Sequence, residues 1–377
     1  MFNLAGKLFP IGGPVTEEDI VDREAFITTL EMRLAGGQSI VLVGPRRTGK
    51  TSLAHEVLRR LKKRGFYTAT VDCFRLSNRR DLAQSLINSC LENRTGMRRT
   101  LDVLKSHAKA LADTAKLAVK LEDLQVSVDL FHIDLDEATV LNYALDLPET
   151  IATRDGKNMV VMFDEFQDIS QIAGDDIYKK MRSYFQNHRR VSYLFLGSKE
   201  GMMKTLFGNR REAFYRFATI FSIPPIPQEA WIEYISRKFA EQNLAVEEEA
   251  IRQILEITQG HPYNTMLLCS EIYYILLETA KSTITPGIIK IGFDRAMLSL
   301  APIYEVIIEE LGHRPVIRQV LRSIARGSKV YTGKVNPNEI KRAIDYLIAK
   351  GIIEKTGRGT YRFIEPMFGE YVRRELL

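Results

Sequence analysis

The feature of the sequence that most constrains the fold is the stretch VLVGPRRTGKTSL at residues 41–53. Gly44, Gly49, Lys50 and Thr51 fill the pattern G-x-x-x-x-G-K-[ST] completely. The stretch follows a short apolar run and precedes a segment whose apolar residues have helical spacing, which is the context that the pattern requires. It predicts a loop between a buried strand and a helix, where backbone N–H groups hold the phosphates of a nucleotide.

Each residue type in this loop has a physical reason. Glycines are needed because a side chain would hold the backbone away from the anion. The ammonium of Lys50 is expected to reach the β- and γ-oxygens, and the hydroxyl of Thr51 is expected to ligate Mg²⁺. The residues expected to contact the nucleotide from this loop are Gly44, Pro45, Arg46, Arg47, Thr48, Gly49, Lys50, Thr51 and Ser52.

Five apolar or β-branched runs predict the strands of a sheet. Helical segments separate them, so the sequence predicts a doubly wound α/β domain with a mostly parallel sheet. One strand is expected to lie between the two strands that carry nucleotide motifs, an order typical of the P-loop NTPases that use a catalytic glutamate. The five runs cover residues 39–43, 66–73, 158–165, 191–198 and 218–226.

The second nucleotide motif is VVMFDEFQD at residues 160–168. Four apolar residues carry the chain through the sheet, and Asp164 then lies at the carboxyl end of the strand, where ligands of open α/β sheets bind. Asp164 is expected to hold Mg²⁺ through water, and Glu165 to orient and polarise the attacking water. The alternative is a polar strand end without chemistry. The glutamate favours hydrolysis over phosphate transfer, since no acceptor pocket is recognisable in the sequence.

Two further positions are candidates for contacts with the γ-phosphate. The fourth strand ends in GSKEG, and Ser198 at its tip is a candidate for touching the γ-phosphate or the water, with a simple cap as the alternative. The segment GNRREAFYRF offers an arginine, from the same chain or a neighbouring subunit, and such residues supply roughly 10³–10⁵-fold in rate. Arg216 has the best position, with Arg210 and Arg211 as competitors, and ordinary surface arginines are the alternative.

Three parts are predicted along the chain. Residues 1–227 form the P-loop ATPase domain, with a helical insertion at about 95–152 to which no chemistry is assigned. Residues 228–300 have a wholly helical pattern and form a lid. Residues 301–377 are interpreted as a winged helix-turn-helix domain, because helix, glycine, strand, Gly-rich turn and strand follow one another.

In that C-terminal part, Asn336 or Asn338 is expected to cap the third helix, and Gly357–Gly359 to form the tip of the wing. From Gly312 to Leu377 there are 14 Lys and Arg but 6 Asp and Glu, although the whole chain carries a net charge of only +6. Concentrated positive charge is typical of nucleic-acid binding. It is equally typical of a solvated surface, and both interpretations stay open.

Composition places the chain among soluble globular proteins, with 45% hydrophobic and 27% charged residues. It contains no apolar run long enough for a membrane span, and its first residues lack the apolar stretch of a secretory signal. Cys73, Cys90 and Cys269 are widely separated and have no metal-ligand spacing, which indicates a reducing compartment and inert thiols. The sequence thus predicts a cytoplasmic protein without a membrane partner.

Taken together, the motifs resemble the archaeal-type ATPases of the STAND division, relatives of the AAA+ proteins, over nearly the whole chain. The segments that carry the resemblance are GGPVTEEDIVDREAFI, VLVGPRRTGKTSL, VMFDEFQDI, FLGSKEGMMKTLF, AFYRFATIFSIPPI, ITQGHPYNTMLL and YRFIEPMFGEYV. The resemblance implies an AAA+-like P-loop ATPase domain followed by a helical lid and a winged helix, with ATP or ADP and Mg²⁺ as ligands. The insertion at about 95–152 matches nothing in the family pattern, and Thr48 stands where the family often has Tyr or Gly.

The resemblance also implies roles for single residues. The segment before the phosphate-binding loop lies against the adenine, which gives base-side roles to Val21, Asp22, Arg23 and Glu24. His261 and Pro262 stand in the GxP motif of the lid, where the family places a proline against the nucleotide. Ring-forming AAA+ motors usually carry an arginine in the lid, and its absence here favours a switch over a processive motor.

Two functions stay open. In the first, the protein is a nucleotide-operated switch, in which ATP·Mg²⁺ and ADP favour different positions of the lid and winged helix and hydrolysis, slow or partner-stimulated, resets the state. In the second, it is a DNA-binding protein whose ATPase drives loading or oligomerisation. The contacts with double-stranded DNA would then come from Lys341, Arg342, Lys355, Arg358 and Arg362.

Against the DNA hypothesis, Ile340, Ile344, Leu347 and Ile348 of the same helix are expected to face a core, which leaves few side chains for bases. The absence of a guanine-reading N-K-x-D motif favours ATP over GTP. The pattern leaves open whether the chain self-associates, and it identifies no protein partner.

Overall fold

The computed structural model of the chain describes residues 8–93, 136–174, 176–312, 314–331 and 335–376. Most of the insertion predicted at about 95–152 therefore lies outside the described residues. The chain divides into two compact units. The first, here called the sheet unit, comprises Glu24–Val43 and Leu53–Ser222. The second, here called the helical unit, comprises Met1–Arg23, Gly44–Ser52 and Ile223–Leu377.

The sheet unit is built on five parallel strands. They are β1 (Ile40–Val43), β2 (Tyr67–Asp72), β3 (Met159–Asp164), β4 (Val191–Gly197) and β5 (Thr219–Ser222). Their order in the sheet is β2-β3-β4-β1-β5, so β4 lies between the two strands that precede the nucleotide motifs, as predicted. Strand β5 ends at Ser222 rather than at residue 226, because Pro224 and Pro225 have no N–H for the ladder.

Helices follow the strands in the alternation that the sequence predicts. They are α1 (Glu24–Ala35), α2 (Lys50–Lys63), α3 (Arg79–Leu91), α4 (Glu137–Asp155), α5 (Ile169–Ala173), α6 (Ile177–Phe185) and α7 (Glu200–Gly208). Every residue of β1 and β4 is buried. Because successive side chains of a strand point to opposite faces, both faces of these central strands are covered, as in a doubly wound sheet.

The helical unit contains the remaining described elements. They are α8 (Gln228–Ala240), α9 (Glu248–Thr258), α10 (Pro262–Thr279), α11 (Pro286–Leu311), α12 (Pro315–Ala325), α13 (Pro337–Ala349), β6 (Ile353–Gly357), β7 (Thr360–Phe363) and α14 (Pro366–Leu376). Helices α10 to α14 all begin with proline, whose fixed φ and missing N–H suit the first helical position. Helix α11 runs through residues 300 and 301, where the sequence suggests a domain boundary, and the three-part division stays a prediction.

The C-terminal elements follow the local signals in the sequence. The side chain of Asn336, rather than Asn338, caps α13 by accepting a hydrogen bond from the backbone N–H of Asn338 at 2.9 Å. Strands β6 and β7 pair antiparallel, and the turn between them contains Gly359 with φ of 76°. Left-handed φ values of this kind favour glycine.

The residues that precede α1 belong to the helical unit rather than to the sheet. Phe9 is buried in its core, with its ring centroid 5.0 Å from that of Phe239. Lys238 is also buried, and its ammonium pairs with Asp19 at 2.9 Å. Over the ranges that the structure describes, no helix is both long and apolar enough to cross a membrane.

The three cysteines are buried. Burial raises the pKa of the thiols of Cys73, Cys90 and Cys269, so that little of the reactive thiolate forms. This agrees with the prediction that the thiols are inert.

Gly197, the last residue of β4, lies where no side chain fits. A Cβ there would lie 2.6 Å from Oε1 of Gln167 and would collide with Met203. We expect Gly197→Ala to lower the free energy of unfolding by about 1–3 kcal/mol, because buried side chains would have to move. Gly201→Ala in α7 is the matched control: its Cβ meets nothing within 4 Å. Thermal unfolding of both variants checks this, and equal midpoints for the two would contradict the packing argument.

Candidate functional site

The phosphate-binding loop joins β1 to α2 in the conformation that its glycines permit. Gly44 is buried, and a Cβ there would lie 3.2 Å from Oγ1 of Thr48 and 3.5 Å from Cβ of Ile223. Gly49 has φ of 92°, a left-handed value that favours glycine. Helix α2 begins at Lys50, so the N–H groups of its first turn point out of the helix end towards the loop.

Lys50 is buried within the loop itself. Its ammonium donates hydrogen bonds to the carbonyl oxygens of Gly44 at 2.8 Å and Pro45 at 2.7 Å. Thr51 is half-buried in the first turn of α2, whereas Ser52 is buried and its hydroxyl accepts a hydrogen bond from the N–H of Val15 at 3.0 Å. The loop thus carries a positive charge and helix-end N–H groups in one place, which is the chemistry that binds an anion.

The two arginines of the loop have different surroundings. Arg46 is exposed. Arg47 has a left-handed φ of 64°, and its guanidinium lies over the ring of Tyr263 at 4.3 Å and 3.5 Å from a carboxylate oxygen of Glu365. Tyr263 is in the first turn of α10, and Glu365 directly precedes α14. Arg47 therefore connects the loop to the beginnings of two distant helices of the helical unit.

The carboxylate of Glu365 has a second partner besides Arg47. Its carboxylate accepts a hydrogen bond from the hydroxyl of Tyr304 at 3.2 Å. Burial raises the pKa of Glu365, while the charge of Arg47 and the bond from Tyr304 oppose that rise. Loss of Arg47 would leave a half-buried carboxylate without its positive partner, a situation that proteins avoid by protonation or rearrangement.

His261 caps α10 in the lid segment. Its Nδ1 accepts the backbone N–H of Asn264 at 3.4 Å, so its proton is on Nε2, which is buried without a hydrogen-bond partner in the described structure. Burial, together with the nearby charge of Arg47, lowers the pKa of His261 to about 4, and the ring is therefore neutral at neutral pH. Pro262 is the first residue of α10, as the break in QGHP predicts.

The segment predicted to lie on the base side is partly buried. Val21 and Arg23 are buried, whereas Asp22 is exposed with a left-handed φ of 46°. Burial lowers the pKa of Arg23 to about 10, and its guanidinium lies 3.4 Å from the carbonyl oxygen of Pro225. Glu24 begins α1 in the sheet unit and pairs with Arg60 at 2.5 Å. Contact of these residues with a base stays a prediction.

In the sheet unit, the two acids follow β3 directly. Asp164 ends the strand opposite Asp72 of β2, and its carboxylate accepts the N–H of Glu165 at 2.9 Å. Glu165 has φ of 48° and ψ of 44°, a left-handed conformation that turns the chain out of the sheet. The next ring, Phe166, is buried with its centroid 4.5 Å from that of Phe195, which fixes the turn to the core.

Ser198, the residue after β4, lies beside Glu165, a contact that the sequence analysis did not predict, and its contact with the γ-phosphate or the water stays a prediction. Its backbone N–H and its hydroxyl donate to the same oxygen, Oε2 of Glu165, at 3.1 and 2.7 Å. The sequence reasoning missed Gln167, whose amide also donates to this oxygen at 2.6 Å. The signal was present in DEFQD, where an uncharged polar residue stands two positions after the glutamate.

The arginine candidates lie on the turn between α7 and β5. Arg210, Arg211 and Arg216 are exposed. Arg216 has φ of 56°, and its guanidinium lies 5.2 Å from the ring of its neighbour Tyr215. Action of any of these arginines on a phosphate stays a prediction.

The basic residues proposed for DNA contact are all exposed: Lys341, Arg342, Lys355, Arg358 and Arg362. Arg362 differs from the others because it pairs with Glu354 on the neighbouring strand at 2.5 Å. Ile340, Ile344 and Leu347 of α13 are buried as expected, but Ile348 is 39% exposed, so the expectation that it faces a core was wrong.

Residues 20–268 match the profile of a family described as an ATPase domain predominantly from Archaea. The match takes in most of the chain, and the chain belongs to this family. The protein is therefore an ATPase with a nucleotide-binding site. No protein with a curated description matches the sequence.

Solved structures share the fold over almost the whole chain. The Walker-type ATPase PABY2304 of Pyrococcus abyssi is 19% identical, with a TM-score of 0.71, covering 97% of this chain and 99% of that one. The ORC2 protein of Aeropyrum pernix, in ADPNP–ADP complexes, is 12% identical, with a TM-score of 0.60 and coverage of 98% and 97%. The A. pernix ORC1 protein in complex with DNA is 15% identical, with a TM-score of 0.51 and coverage of 96% and 94%. At these identities the likeness establishes the α/β fold of the P-loop AAA+ ATPases alone.

Proposed function

We propose that this member of the archaeal ATPase family is a nucleotide-operated switch. ATP and ADP bind at the phosphate-binding loop and favour different positions of the lid helices and the C-terminal elements. The observation that carries the proposal is the contact of Arg47 with both Tyr263 and Glu365. Arg47 belongs to the loop proposed to bind the phosphates, and it contacts residues at the beginnings of α10 and α14. A change at the phosphates could therefore change the positions of these two helices.

The residues of the loop suit a triphosphate. Gly44 and Gly49 let the backbone approach the anion, and Lys50 supplies a buried positive charge. Magnesium prefers oxygen ligands and takes only one or two carboxylates from the protein, which fits the Thr51 hydroxyl and the Asp164 carboxylate as its holders. When bound, the ion would neutralise negative charge on the phosphates.

Glu165 is the residue proposed to orient and polarise the attacking water. Ser198 supports this role, because its two donors fix one carboxylate oxygen and so fix the direction of the other. In this proposal, hydrolysis of ATP ends the ATP-bound state, and it is slow or stimulated by a partner. Arg216 remains the candidate for stabilising transition-state charge.

The lid and the C-terminal elements complete the switch. The GHP sequence at 260–262 stands where ring-forming motors usually carry a lid arginine, which supports a STAND-type switch over a ring motor. The order α12, α13, β6, β7 supports a winged-helix assignment. A ligand shifts an equilibrium only through its different affinities for the two states, so the γ-phosphate must alter the Arg47 contacts.

Two substitutions separate binding from hydrolysis. Lys50→Ala removes a charge-assisted contact and is expected to weaken ATP binding roughly 10- to 100-fold. Glu165→Gln is expected to bind ATP within about threefold of wild type and to lose roughly 10²–10⁴-fold in kcat. Isothermal titration and phosphate release measure the two effects. Lys62→Ala, at an exposed position of α2, is the control. Unimpaired hydrolysis in Glu165→Gln would remove that residue from its role.

The switch makes a separate prediction at the C-terminal contact. Glu365→Gln keeps the size of the side chain and removes its charge, which breaks the ion pair with Arg47. We expect the ratio of the dissociation constants for ADP and a non-hydrolysable ATP analogue to change about fivefold or more. Glu370→Gln, which weakens the pairs with Arg373 and Arg374 within α14, is the control. Equal changes in both constants would contradict a coupling role for Glu365.

A second candidate function is duplex DNA binding by the C-terminal elements. It is favoured by the exposure of Lys341, Arg342, Lys355 and Arg358 on α13 and the β6–β7 hairpin. Phosphate contacts require accessible cations of this kind. The pairing of Arg362 with Glu354 removes one candidate from that surface.

The salt dependence of duplex binding distinguishes the two functions. Each phosphate contact lowers log K by about 0.9 per log unit of salt, so the slope counts the contacts. If DNA is bound, we expect the double variant Lys341→Ala/Arg342→Ala to reduce the slope of log K against log salt by the contribution of about two phosphate contacts. Binding is measured with ADP and with the ATP analogue. Affinity near zero in all conditions would exclude the DNA function. A steep slope that is the same with ADP and with the ATP analogue would count against the switch.

A further inference from the structure

The turn after β3 brings the side chain of Gln167 into contact with the Glu165 carboxylate. Phe166–Asp168 form a short 3₁₀ turn, and the N–H of Asp168 donates to the carbonyl of Glu165 at 2.9 Å. The hydroxyl of Tyr178 lies 3.3 Å from the carbonyl oxygens of both Phe166 and Gln167. The backbone that carries Gln167 is thus held from two sides, and the side chain is 1% exposed.

Three donors converge on one oxygen of Glu165. They are the amide of Gln167 at 2.6 Å and the N–H and hydroxyl of Ser198 at 3.1 and 2.7 Å. Donors to an ionised acceptor form short, strong hydrogen bonds. Because the donors come from two different elements of the sheet unit, they restrain the rotation of the carboxylate about its last bond as well as its position.

The amide oxygen of Gln167 indicates that this residue does not serve fold stability. Its Oε1 is buried and has no hydrogen-bond partner in the described structure. An unpaired buried acceptor destabilises the fold. Reversing the amide would not help, because it would set this oxygen 2.6 Å from the Glu165 carboxylate. A buried apolar side chain of the same size would avoid the penalty, so fold stability does not explain a glutamine here.

The neighbouring strand makes room for this glutamine. The last residue of β4 is Gly197, where any Cβ would lie 2.6 Å from Oε1 of Gln167. Glycine inside a strand weakens it and usually marks a close approach of another group. Gly197 and Ser198 therefore act together, since one admits the amide and the other binds the same carboxylate oxygen.

A salt bridge directs the amide towards Glu165 rather than towards its second acidic neighbour. The Gln167 nitrogen lies 3.4 Å from Oδ2 of Asp168, at the limit of a hydrogen bond. The ammonium of Lys199 neutralises Asp168 at 2.6 Å. With Asp168 already compensated, the short bond of the amide goes to Glu165.

The geometry points to Gln167 as a positioning residue, which holds the Glu165 carboxylate in the orientation used for ATP hydrolysis. This inference rests on the proposed role of Glu165. Gln167 itself touches neither substrate nor metal in this assignment. Its loss should therefore lower kcat and leave nucleotide binding unchanged, because it acts only through the carboxylate.

The test uses the full chain and ATP with Mg²⁺. Gln167→Met replaces the amide by an unbranched apolar side chain of similar length, and Gln171→Met makes the same change at an exposed position of α5. Phosphate release gives kcat and KM, and titration with the non-hydrolysable analogue gives the dissociation constant. We expect kcat to fall about tenfold or more in Gln167→Met, with the dissociation constant within twofold. Gln171→Met should match wild type.

A double variant tests whether the effect passes through Glu165. In a Glu165→Gln background, Gln167→Met should change the residual single-turnover rate less than twofold, because the group it positions is gone. The same loss in both backgrounds, a kcat of Gln167→Met within twofold of wild type, or a matching loss of binding would each overturn the inference. Gln167→Leu, with the same expected results, replaces the Met variant if that one does not fold.

Failure of the proposed function gives a different pattern. Wild-type hydrolysis in Glu165→Gln would overturn the role of Glu165 itself. An inactive Glu165→Gln variant beside a fully active Gln167→Met variant would overturn only the positioning role.

Discussion

The burial of β1 is the constraint on which the rest of the site depends. All four residues of the strand are buried, so its end is fixed and the turn that follows begins at a defined point. Gly44 and Gly49 then let the loop curve closely enough for backbone N–H groups to face an anion. A side chain at Gly44 would meet Thr48 and Ile223 and would push the loop out of this shape.

Each of the two units contains polar groups that cost stability near its nucleotide motif. His261 and Gln167 each have a buried polar atom without a partner in the described structure, and burial raises the pKa of Glu365. An unpaired buried polar group costs about 1–3 kcal/mol, and apolar residues of similar volume would remove that cost. We therefore attribute the glutamine at position 167 to the positioning role proposed for it rather than to folding.

Local patterns were sufficient to predict much of the fold and part of the site. Strands β1, β3 and β4 were recognisable because their side chains are mostly apolar on both faces, and the loop because glycine and lysine stand at fixed spacing. Ser198 could be selected as a candidate because the order of parallel strands brings their carboxyl ends to one edge of the sheet, although its contact with Glu165 was not predicted. These predictions depend on residues close in sequence or on a known strand order.

Contacts between distant segments were not predictable in the same way. Nothing near Arg47 in the sequence shows that Glu365 is its partner, because that pairing depends on how α10 and α14 pack. Gln167 was missed because its direction is set by the left-handed backbone of Glu165, which sequence periodicity does not reveal. Ile348 was assigned to a core by helical spacing alone, although the end of α13 leaves it exposed.

The proposed switch needs two properties, which the proposal assigns to different residues. The lifetime of the ATP-bound state depends on how fast the γ-phosphate is cleaved, and the proposal assigns this to the Glu165 carboxylate and the donors that hold it in the sheet unit. The difference between the bound states depends on the contacts that the phosphates alter, and the proposal assigns this to Arg47 with Tyr263 and Glu365 in the helical unit. Because the two sets share no residue, changes in rate and changes in coupling can arise independently, so a slow rate of hydrolysis is compatible with strong coupling.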